Sequence, residues 1–333
     1  MSNTPFFTIV MPTYNSETTI EKSLASIASQ NFDSSLVEIL VIDGGSTDST
    51  IEIAKKYGAT VLENPKRLPE YAKLIGFNAA KGKFAIEMDS DEAFKHNDIL
   101  KNRYDLLTKE NLNCLIANRM EAVSHSFAGK YLNYCGDPFS YFVYSLGKKK
   151  TVTYKNNISG KNKNILIFED KDILPIGDGG TTTVSLEFAK KHFSEKFSQS
   201  NFASTIFTDI VLMDKKCGCI EDDIGLHYVN AGFKTYLSKL RFRVINNLFH
   251  KQDSGFSTRE TANSGLKKRK MLFVLYAASV VFPIVDAVKL SFEHKDIKMM
   301  AHIVYLYYVC FYIAYCIALK MLGKSKVNKN YGK

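Results

Sequence analysis

The segment Phe6-Phe7-Thr8-Ile9-Val10-Met11, followed at once by Pro12-Thr13-Tyr14-Asn15, decides the fold class of this chain. A short run of β-branched and aromatic residues that ends in a polar turn is typical of a buried strand and its loop. The same arrangement recurs where Val37 to Ile42 precedes Asp43-Gly44-Gly45-Ser46-Thr47-Asp48. Helix-period residues lie between the two, so the sequence predicts strand–helix–strand units on a mostly parallel sheet.

Two further strands are predicted at Thr60 to Leu62 and at Phe84 to Met88, with a helix from about Pro69 to Ala80 between them. The predicted class is therefore α/β, with a Rossmann-like central sheet. Open sheets of this kind bind ligands beyond the carboxyl ends of their strands. The stretch from Tyr131 to Asp172 has no clear period and is predicted to be irregular.

Acidic and glycine-rich loops follow two of these strands. Asp89 and Asp91 lie two residues apart in Glu87-Met88-Asp89-Ser90-Asp91, at the end of the fourth strand. Two such carboxylates can converge on one cation, and hard oxygen ligands suit Mg²⁺ or Mn²⁺ bound to a diphosphate. Asp43 can accept from a nucleobase N–H or from ribose hydroxyls, and Gly44 lets the backbone approach a ligand closely.

Together, Pro12 to Asn15, Asp43 to Asp48, Ala72-Lys73-Leu74-Ile75-Gly76 and Met88 to Asp91 resemble the motifs of family 2 glycosyltransferases of the GT-A fold. The order and spacing agree over the segment that ends at Asp91. The resemblance implies inverting transfer of a sugar from a nucleoside diphosphate sugar, in a protein similar to polyprenyl-phosphate or lipid-linked glycan glycosyltransferases. Many relatives have a second Asp where this chain has Gly44.

The resemblance also implies the residues of the site and its cofactor. The cofactor would be Mn²⁺ or Mg²⁺, held by Asp91 and His227 together with Asp89. The residues implied in nucleotide-sugar binding are Pro12, Thr13, Tyr14, Glu17, Asp43, Gly44, Lys73 and Asp89.

A carboxylate acting as general base is implied as well, and two segments compete for that role. In relatives the base opens a helix that ends in a glycine turn, and a strand and the metal-binding His follow. Asp209 fits this order, with a helix to Lys216, a stop at Gly218, a strand near Cys219 and then His227. The alternative, Glu221 or Asp222, would make Gly232 the helix stop and His250 the next histidine after it, so Asp209 is preferred.

Composition excludes a disordered chain, since 45% of the 333 residues are hydrophobic. The formal net charge of +10 arises in the C-terminal third, where 18 Lys and Arg face 5 Asp and Glu from Asn230 onward. These basic residues flank long apolar runs, which favours membrane lipids over nucleic acid as the partner. The six cysteines form no C-x-x-C pair, which fits a reducing compartment.

The C-terminal third predicts membrane attachment. Phe233 to Leu248 has the spacing of an amphipathic interfacial helix. Met271 to Phe292 and Met299 to Leu322 are apolar, and each would extend about 33 Å or more as a helix, enough to span the hydrocarbon core. They predict two transmembrane helices, although Pro283 leaves a re-entrant hairpin open for the first. Basic residues at both ends of the pair predict that both ends are cytoplasmic.

The expected organisation is a GT-A glycosyltransferase domain (1–229), an amphipathic and basic juxtamembrane segment (230–270), two transmembrane helices (271–322) and a basic cytoplasmic tail (323–333). The protein would be an integral membrane protein with a cytoplasmic catalytic domain. It would take a nucleoside diphosphate sugar as donor and a lipid-linked or glycan acceptor. The alternatives are a sugar-nucleotide nucleotidyltransferase, which normally has a Gly-rich basic loop after the first strand, and a non-catalytic membrane scaffold.

Overall fold

The computed structural model describes residues 4–124, 126–144, 163–169, 180–198, 203–229, 232–249 and 265–324. These residues form two compact units. The first consists essentially of residues 1–121 and 150–228, and the second of residues 122–149 and 229–331.

Strands and helices are numbered here in chain order. The strands are β1 (Phe7–Thr13), β2 (Val37–Asp43), β3 (Thr60–Glu63), β4 (Phe84–Glu87), β5 (Glu92–Phe94), β6 (Cys114–Leu115), β7 (Arg119–Ala122), β8 (Ile165–Ile167), β9 (Thr183–Ser185), β10 (Lys216–Gly218) and β11 (Ile224–His227). The α-helices are α1 (Ile20–Ala28), α2 (Thr50–Lys56), α3 (Pro69–Ala79), α4 (Ile99–Lys109), α5 (Phe127–Cys135), α6 (Pro138–Tyr144), α7 (Leu186–His192), α8 (Ala203–Asp214), α9 (Phe233–Phe249), α10 (Gly265–Ala278), α11 (Val281–Glu293) and α12 (Ala301–Met321). Short 3₁₀ helices cover Ser34–Leu36, Ser194–Ser198 and Ile297–Met300.

The central sheet of the first unit has the order β3-β2-β1-β4-β9-β6-β10-β8. The strands β1 to β4 are parallel, as predicted, whereas β9 is antiparallel to β4 and β6, and β8 is antiparallel to β10. The expectation of a mostly parallel sheet is therefore corrected to a mixed α/β sheet. The reason is that β6, β8, β9 and β10 have two or three residues each, too few to show a period in the sequence.

The parallel register sets the position of the polar loops. Thr13 pairs with Asp43, so the loops after β1 and β2 leave the sheet at the same edge. The helix α3 packs on β1 and β2, and its Gly76 faces Val10 and Ile42. The buried residues of β1 and β4 form the core beneath this edge, together with Leu24 of α1.

A second, three-stranded sheet has the order β5-β11-β7. The strands β5 and β11 are antiparallel, and His227 pairs with Glu92. This pairing joins the acidic segment after β4 to a strand more than a hundred residues later in the chain.

The second unit is helical in its described residues. Tyr131 of α5, Tyr236 of α9 and Tyr305 of α12 are all buried, and their rings contact one another in edge-to-face or tilted pairs. The apolar face of α9 is therefore covered by other helices of the unit through residues such as Tyr236 and Leu240. The interfacial position of this helix stays a prediction. Phe233 is exposed and would be the side chain of α9 that contacts the membrane surface.

The first predicted transmembrane span is not a single straight helix. The helices α10 and α11 meet at an angle of 94°. Val280 between them has a left-handed backbone, with φ of 58°, and Pro283 lies in the first turn of α11, where proline needs no backbone donor. Among the described residues, one helical stretch, Ile297–Met321, is long and apolar enough to cross a membrane by itself. Two transmembrane helices are therefore not established.

The segment from Tyr131 to Asp172 is less irregular than predicted. It contains most of α5, all of α6 and the short strand β8. Aromatic residues at helical spacing in α5 and α6 pack into the second unit, which the lysine- and asparagine-rich surroundings concealed. Most of the predicted tail, 325–333, lies outside the described residues.

Candidate active site

The carboxylate of Asp43, at the end of β2, organises the loop that follows it. Its two oxygens accept hydrogen bonds from Gly45 N at 2.8 Å, Ser46 N at 2.9 Å and Ser46 Oγ at 2.5 Å. Gly44 N donates to Thr13 O at 2.8 Å, which ties this loop to the end of β1. Gly45 has a φ of 87°, a conformation that glycine adopts without strain. Asp43 thus holds the backbone amides of its own loop in place at the ligand-binding edge.

The loop after β1 is bonded to the loop after β2 along its length. Asn15 N donates to Ser46 Oγ at 2.8 Å, and Thr47 N donates to Asn15 Oδ1 at 2.9 Å. The backbone N of Glu17 donates to Asp48 at 3.2 Å, and the carboxylate of Glu17 accepts from Ser49 N at 3.2 Å. Glu17, predicted to bind the nucleotide sugar, is exposed and in these contacts joins the two loops.

Asn64 lies beside Asp43 and was missed by the sequence analysis. Its backbone N donates to Asp43 O at 2.7 Å, and its Nδ2 donates to Leu68 O at 3.0 Å. The residue is only 5% exposed, and its side-chain Oδ1 is buried and has no hydrogen-bond partner. A buried acceptor without a donor costs about 1–3 kcal/mol, so this atom calls for a ligand. Its position at the end of β3, matching that of Asp43 at the end of β2, was the available signal.

An aromatic and a cationic side chain lie on the same loops. The guanidinium of Arg67 lies 5.8 Å from the ring centroid of Tyr14 and next to Gly45. Pro12 and Thr13 are buried, and the hydroxyl of Thr13 donates to Met11 O at 3.3 Å. Tyr14, Arg67, Asp43 and Asn64 therefore belong to one edge of the sheet.

Lys73 of α3 is buried rather than solvated. Its ammonium forms an ion pair with the buried Glu87 carboxylate at the end of β4. Burial would lower the pKa of Lys73, but the carboxylates of Glu87 and Asp89 outweigh it and raise the pKa above its ordinary value. Lys73 thus supplies a permanent positive charge beside the acidic motif.

The acidic motif presents its two aspartates differently from its serine. Asp89 and Asp91 are half-exposed, whereas Ser90 is buried and donates its Oγ to Ser16 Oγ at 2.8 Å. Ser23 Oγ donates to Ser90 O at 3.0 Å and anchors the turn to α1. Both aspartates therefore remain available to a ligand at this edge.

His227 lies beside Asp91, because β11 pairs with β5. Its Nε2 is 3.5 Å from Asp91 Oδ2, and Tyr228 N donates to Asp91 O at 2.7 Å. Burial would lower the pKa of His227, but Asp91, with Glu92 and Asp89 near it, raises the pKa above its ordinary value. A carboxylate oxygen and an imidazole nitrogen, distant in sequence, thus come together in space.

Glu92 completes the acidic cluster beneath Asp89 and Asp91. Its two carboxyl oxygens accept from Asp89 N at 3.0 Å and from Gly180 N at 2.8 Å. Burial raises the pKa of Glu92 to about 8, and the negative charge of Asp89 adds to the effect. The sequence offered Glu92 only as the residue after the acidic motif, and its burial comes from the β5–β11 pairing.

No group of three or more His, Cys, Asp or Glu side chains is arranged as a complete metal site within the part of the chain that the structure describes. Asp91 and His227 nevertheless fit a site that the donor completes. Mg²⁺ is commonly bound through one or two carboxylates plus substrate phosphates and water, and a His nitrogen suits Mn²⁺. The residues present therefore fit a divalent cation brought with a diphosphate.

Asp209 does not open its helix as the sequence analysis expected. The helix α8 begins at Ala203 and ends at Asp214, so Asp209 lies past its middle. The chain leaves the helix through Lys215, with φ of 56°, and Gly218 lies in β10 instead of forming the stop. The apolar residues before Asp209 extend the helix backwards. The carboxylate of Asp209 forms an ion pair with Lys196 of the 3₁₀ helix, and both are largely buried.

The competing acidic segment has a mainly structural arrangement. Glu221 and Asp222 are exposed in a turn, whereas Asp223 is buried and pairs with Arg103 of α4. Asn118 Nδ2 donates a hydrogen bond to the backbone oxygen of Glu221 in this turn, at 2.7 Å. His250, the histidine that this alternative would need, lies outside the described residues.

Comparison with known proteins identifies the fold and its motifs. Residues 8–166 match the family described as Glycosyl transferase family 2. The chain contains a family 2 glycosyltransferase domain. The match includes the edge formed by Asp43, Asn64, Lys73 and Asp91, and it ends before Asp209 and His227.

Relatives of the glycosyltransferase domain cover part of the chain. It is 35% identical over 92 residues to the poly(ribitol-phosphate) beta-N-acetylglucosaminyltransferase TarS of Staphylococcus aureus, which is 26% of this chain and 16% of that protein. It is 33% identical over 115 residues to a dolichyl N-acetyl-alpha-D-glucosaminyl phosphate 3-beta-D-2,3-diacetamido-2,3-dideoxy-beta-D-glucuronosyltransferase of Methanococcus voltae, covering 32% of this chain and 36% of that one. The similarity thus spans well under two thirds of either relative.

A solved structure shares the fold over most of its length. The mannosyltransferase PcManGT from Pyrobaculum calidifontis, solved with GDP-Man and Mn²⁺, superposes with a TM-score of 0.52 at 17% identity. The superposition covers 93% of this chain and 87% of that one. At this identity the likeness establishes the GT-A-like fold of the glycosyltransferase domain.

Proposed function

We propose that this chain is an inverting, metal-dependent glycosyltransferase that moves a sugar from a nucleoside diphosphate sugar to an acceptor hydroxyl. The observation that carries the proposal is the convergence of Asp91 and His227 at the sheet edge that also bears Asp43 and the unpartnered Asn64 Oδ1. A nucleotide pocket and a cation pair on one edge suit a donor that has a base at one end and a diphosphate near the other.

The part of this edge around Asn64, where we place the nucleobase, favours a base with a ring N–H. Because Asn64 Nδ2 is used by Leu68 O, the free acceptor Oδ1 selects a hydrogen-bond donor. Uracil and guanine each carry a ring N–H next to a carbonyl, whereas the corresponding ring nitrogens of cytosine and adenine are acceptors. Tyr14 offers a ring face for the base, and the similar mannosyltransferase was solved with a guanine nucleotide. We therefore propose a uridine or guanosine diphosphate sugar.

The cation would be Mn²⁺ or Mg²⁺, bound by Asp91 and His227 with Asp89 beside them. When bound, it would neutralise the charge that develops on the departing diphosphate. Lys73 adds a fixed positive charge on the same edge. The proposed nucleotide-sugar contacts of Pro12, Thr13, Asp43 and Gly44 would come from the adjoining ends of β1 and β2, which the bond from Gly44 N to Thr13 O ties together.

The proposed general base is Asp209. The acceptor oxygen would attack the anomeric carbon as the carbon–oxygen bond to the diphosphate breaks, and the hydroxyl proton would pass to the Asp209 carboxylate. The ion pair with Lys196 holds the Asp209 carboxylate in a defined position on α8. The acceptor must then approach the side of α8 on which Lys196 and Asp209 lie.

Membrane attachment belongs to the same proposal. In the second unit, α10, α11 and α12 carry large exposed apolar side chains, including Met271, Phe282, Phe292 and Phe311. Contiguous apolar surface of this kind marks a membrane or protein interaction site. We propose that Ile297–Met321 anchors the chain and that the catalytic domain, 1–229, acts at the cytoplasmic face on a lipid-linked or glycan acceptor.

The activity is tested by release of nucleoside diphosphate from a panel of nucleotide sugars with Mn²⁺ or Mg²⁺, in detergent with polyprenyl phosphate. Asp91→Asn should abolish metal-dependent turnover, and Asp209→Asn should abolish transfer while donor binding persists. Asp222→Asn is the matched control and should remain active. An inactive Asp222→Asn with an active Asp209→Asn would transfer the role of base to Asp222. A wild type that binds no donor would favour a scaffold.

Attachment is tested separately by extraction of membranes with alkaline carbonate. A spanning α12 keeps the protein in the pellet, and Phe311→Asp on its exposed face should release part of it, because a charge in the hydrocarbon core costs about 2.5–3.5 kcal/mol. Lys101→Asp, an exposed change on α4 in the first unit, serves as control. Complete release of the wild type would contradict a spanning helix.

A further inference from the structure

Arg103 of α4 is the largest completely buried side chain in the part of the chain that the structure describes, and the activity proposed above gives it no role. Its guanidinium makes five hydrogen bonds. Nε and Nη2 donate to the two carboxylate oxygens of Asp223 at 2.6 and 2.7 Å. Nη1 donates to Thr181 O at 2.5 Å and to Thr183 Oγ1 at 2.9 Å, and Nη2 also donates to Thr181 Oγ1 at 2.8 Å. Every N–H of the group is thereby used.

The partners of Arg103 belong to the segments that carry the proposed cation site. Asp223 immediately precedes β11, the strand that ends in His227. Thr181 follows Gly180, whose N donates to the Glu92 carboxylate. The guanidinium also lies 5.3 Å from the ring centroid of Phe94 in β5. A single side chain thus joins the strand of His227, the segment that contacts Glu92, and β5 itself.

The cation pair depends on how these segments are aligned. Asp91 and His227 face each other because β11 pairs with β5, where Gly225 lies opposite Phe94. Both strands are short, with three and four residues, so backbone pairing alone specifies their register weakly. The bidentate bonds from Arg103 to Asp223 fix β11 at its start, and bonds of this type are directional.

We propose that Arg103 is a positioning residue for the divalent cation, which sets the separation of Asp91 and His227 and hence the affinity of the site. The inference rests on the proposed metal dependence. A buried ion pair is a weak device for stability alone, because the cost of removing both charges from water offsets their attraction. Groups that orient the residues around a metal typically change its affinity by about 10–100-fold when they are replaced.

The experiment measures Mn²⁺ binding directly, by the loss of the free-ion electron paramagnetic resonance signal, first with Mn²⁺ alone and then with uridine or guanosine diphosphate present, after subtraction of the Mn²⁺ that the diphosphate binds without protein. Arg103→Lys keeps the charge and loses the two-point bond to Asp223, so its Kd for Mn²⁺ should rise by about 10-fold or more. Leu107→Ala is the matched control: it lies on the same helix, is buried, and should lower the Tm without changing the Kd.

Activity supplies a second readout that a purely structural role would not move. In Arg103→Lys the Mn²⁺ concentration for half-maximal activity should rise, while kcat at saturating Mn²⁺ recovers most of the wild-type value. Should Arg103→Lys fail to fold, Thr183→Val removes one of the five bonds, keeps the ion pair and should raise the Kd in the same direction by a smaller factor.

Two results overturn the inference on its own terms: Arg103→Lys, or Thr183→Val in its place, binding Mn²⁺ like the wild type, or Leu107→Ala weakening binding as much as Arg103→Lys. A wild type that takes up no Mn²⁺, either alone or with uridine or guanosine diphosphate present, overturns the proposed cation site together with the inference. The two kinds of failure are thus distinguished by the wild-type measurement.

Discussion

Gly76→Ala is a sharp test of how α3 packs against β1 and β2, below the sheet edge that carries Asp43 and Asn64. A Cβ added at Gly76 would lie 3.0 Å from Ile42 Cδ1, 3.2 Å from Val10 Cγ2 and closer still to Val10 Cγ1. Optimal carbon–carbon contacts lie at about 3.5–4.0 Å, so the helix must move away from β1 and β2. Val10 cannot yield, because it is fully buried and β-branched in a central strand.

The magnitude follows from two opposing effects. Overpacking a core costs about 1–3 kcal/mol. Alanine favours a helix interior over glycine by about 1 kcal/mol. The free energy of unfolding should therefore fall by up to about 2 kcal/mol, which corresponds to a loss of at most about 4–8 °C in Tm for a unit of about 200 residues.

The assay is urea unfolding followed by far-ultraviolet circular dichroism, with Val10→Ala as the second background. Removing both Val10 methyl groups eliminates two of the three close contacts, so Gly76→Ala should be neutral or stabilising there. The expected coupling between the two sites is about 1–3 kcal/mol. An equal effect of Gly76→Ala in both backgrounds, or a stabilised single variant, would refute the steric argument.

Three further predictions concern the same edge. Asp48→Asn should reduce the loss of thermal stability below about pH 4. Burial would raise the pKa of Asp48, but hydrogen bonds from Thr50 and Glu17 lower the pKa below its ordinary value. The Asp48 carboxylate therefore stabilises the fold above its unfolded pKa, and this stabilisation is lost as the pH falls through the folded pKa. Lys73→Met should lower the free energy of unfolding by about 3–5 kcal/mol, because the Glu87 carboxylate is left buried without its cation. Asn64→Leu should weaken binding of uridine or guanosine diphosphate by about 5–10-fold in calorimetry.

Each of these predictions has its control. Asp105→Asn, on the surface of α4, should keep the wild-type pH profile, and an unchanged profile for Asp48→Asn would contradict the loop assignment. Adding Glu87→Gln to Lys73→Met should recover much of the lost stability, and a further loss would contradict the charge argument. Cytidine diphosphate should bind wild type and Asn64→Leu alike, and a parallel loss for all nucleotides would point to a general disturbance of the loop.

The first four strands were predictable because they carry their own signal. Runs such as Phe6 to Met11 alternate with helix-period segments, and the observed strands differ from the predicted ones by one or two residues at an end. The loops after them follow from the parallel topology. The remaining strands could not be predicted, because strands as short as Cys114–Leu115 exist only through their neighbours.

The site divides in the same way. Asp43 and Asp91 could be placed from strand ends and motif order, whereas the buried Glu92 and the unpartnered Asn64 Oδ1 emerge from tertiary packing. Asp209 was predicted to open its helix but lies past the middle of α8, because apolar Ile206 and Phe207 extend α8 towards Ala203. The bend between α10 and α11 was hidden as well, since hydropathy reports composition and carries no information on the backbone angle at Val280.

The pairing of β5 with β11 also affects how this protein matures on the ribosome. Glu92 and His227 are adjacent in register yet 135 positions apart in the chain. At about 5–20 residues per second, roughly 7 to 27 s separate the synthesis of the two strands. During that interval the parallel strands β1 to β4 can already pair, whereas β5 cannot yet pair with β11. The sheet edge that carries Asp43 and Asn64 can therefore form first, and Asp91 meets His227 only after β11 has been made.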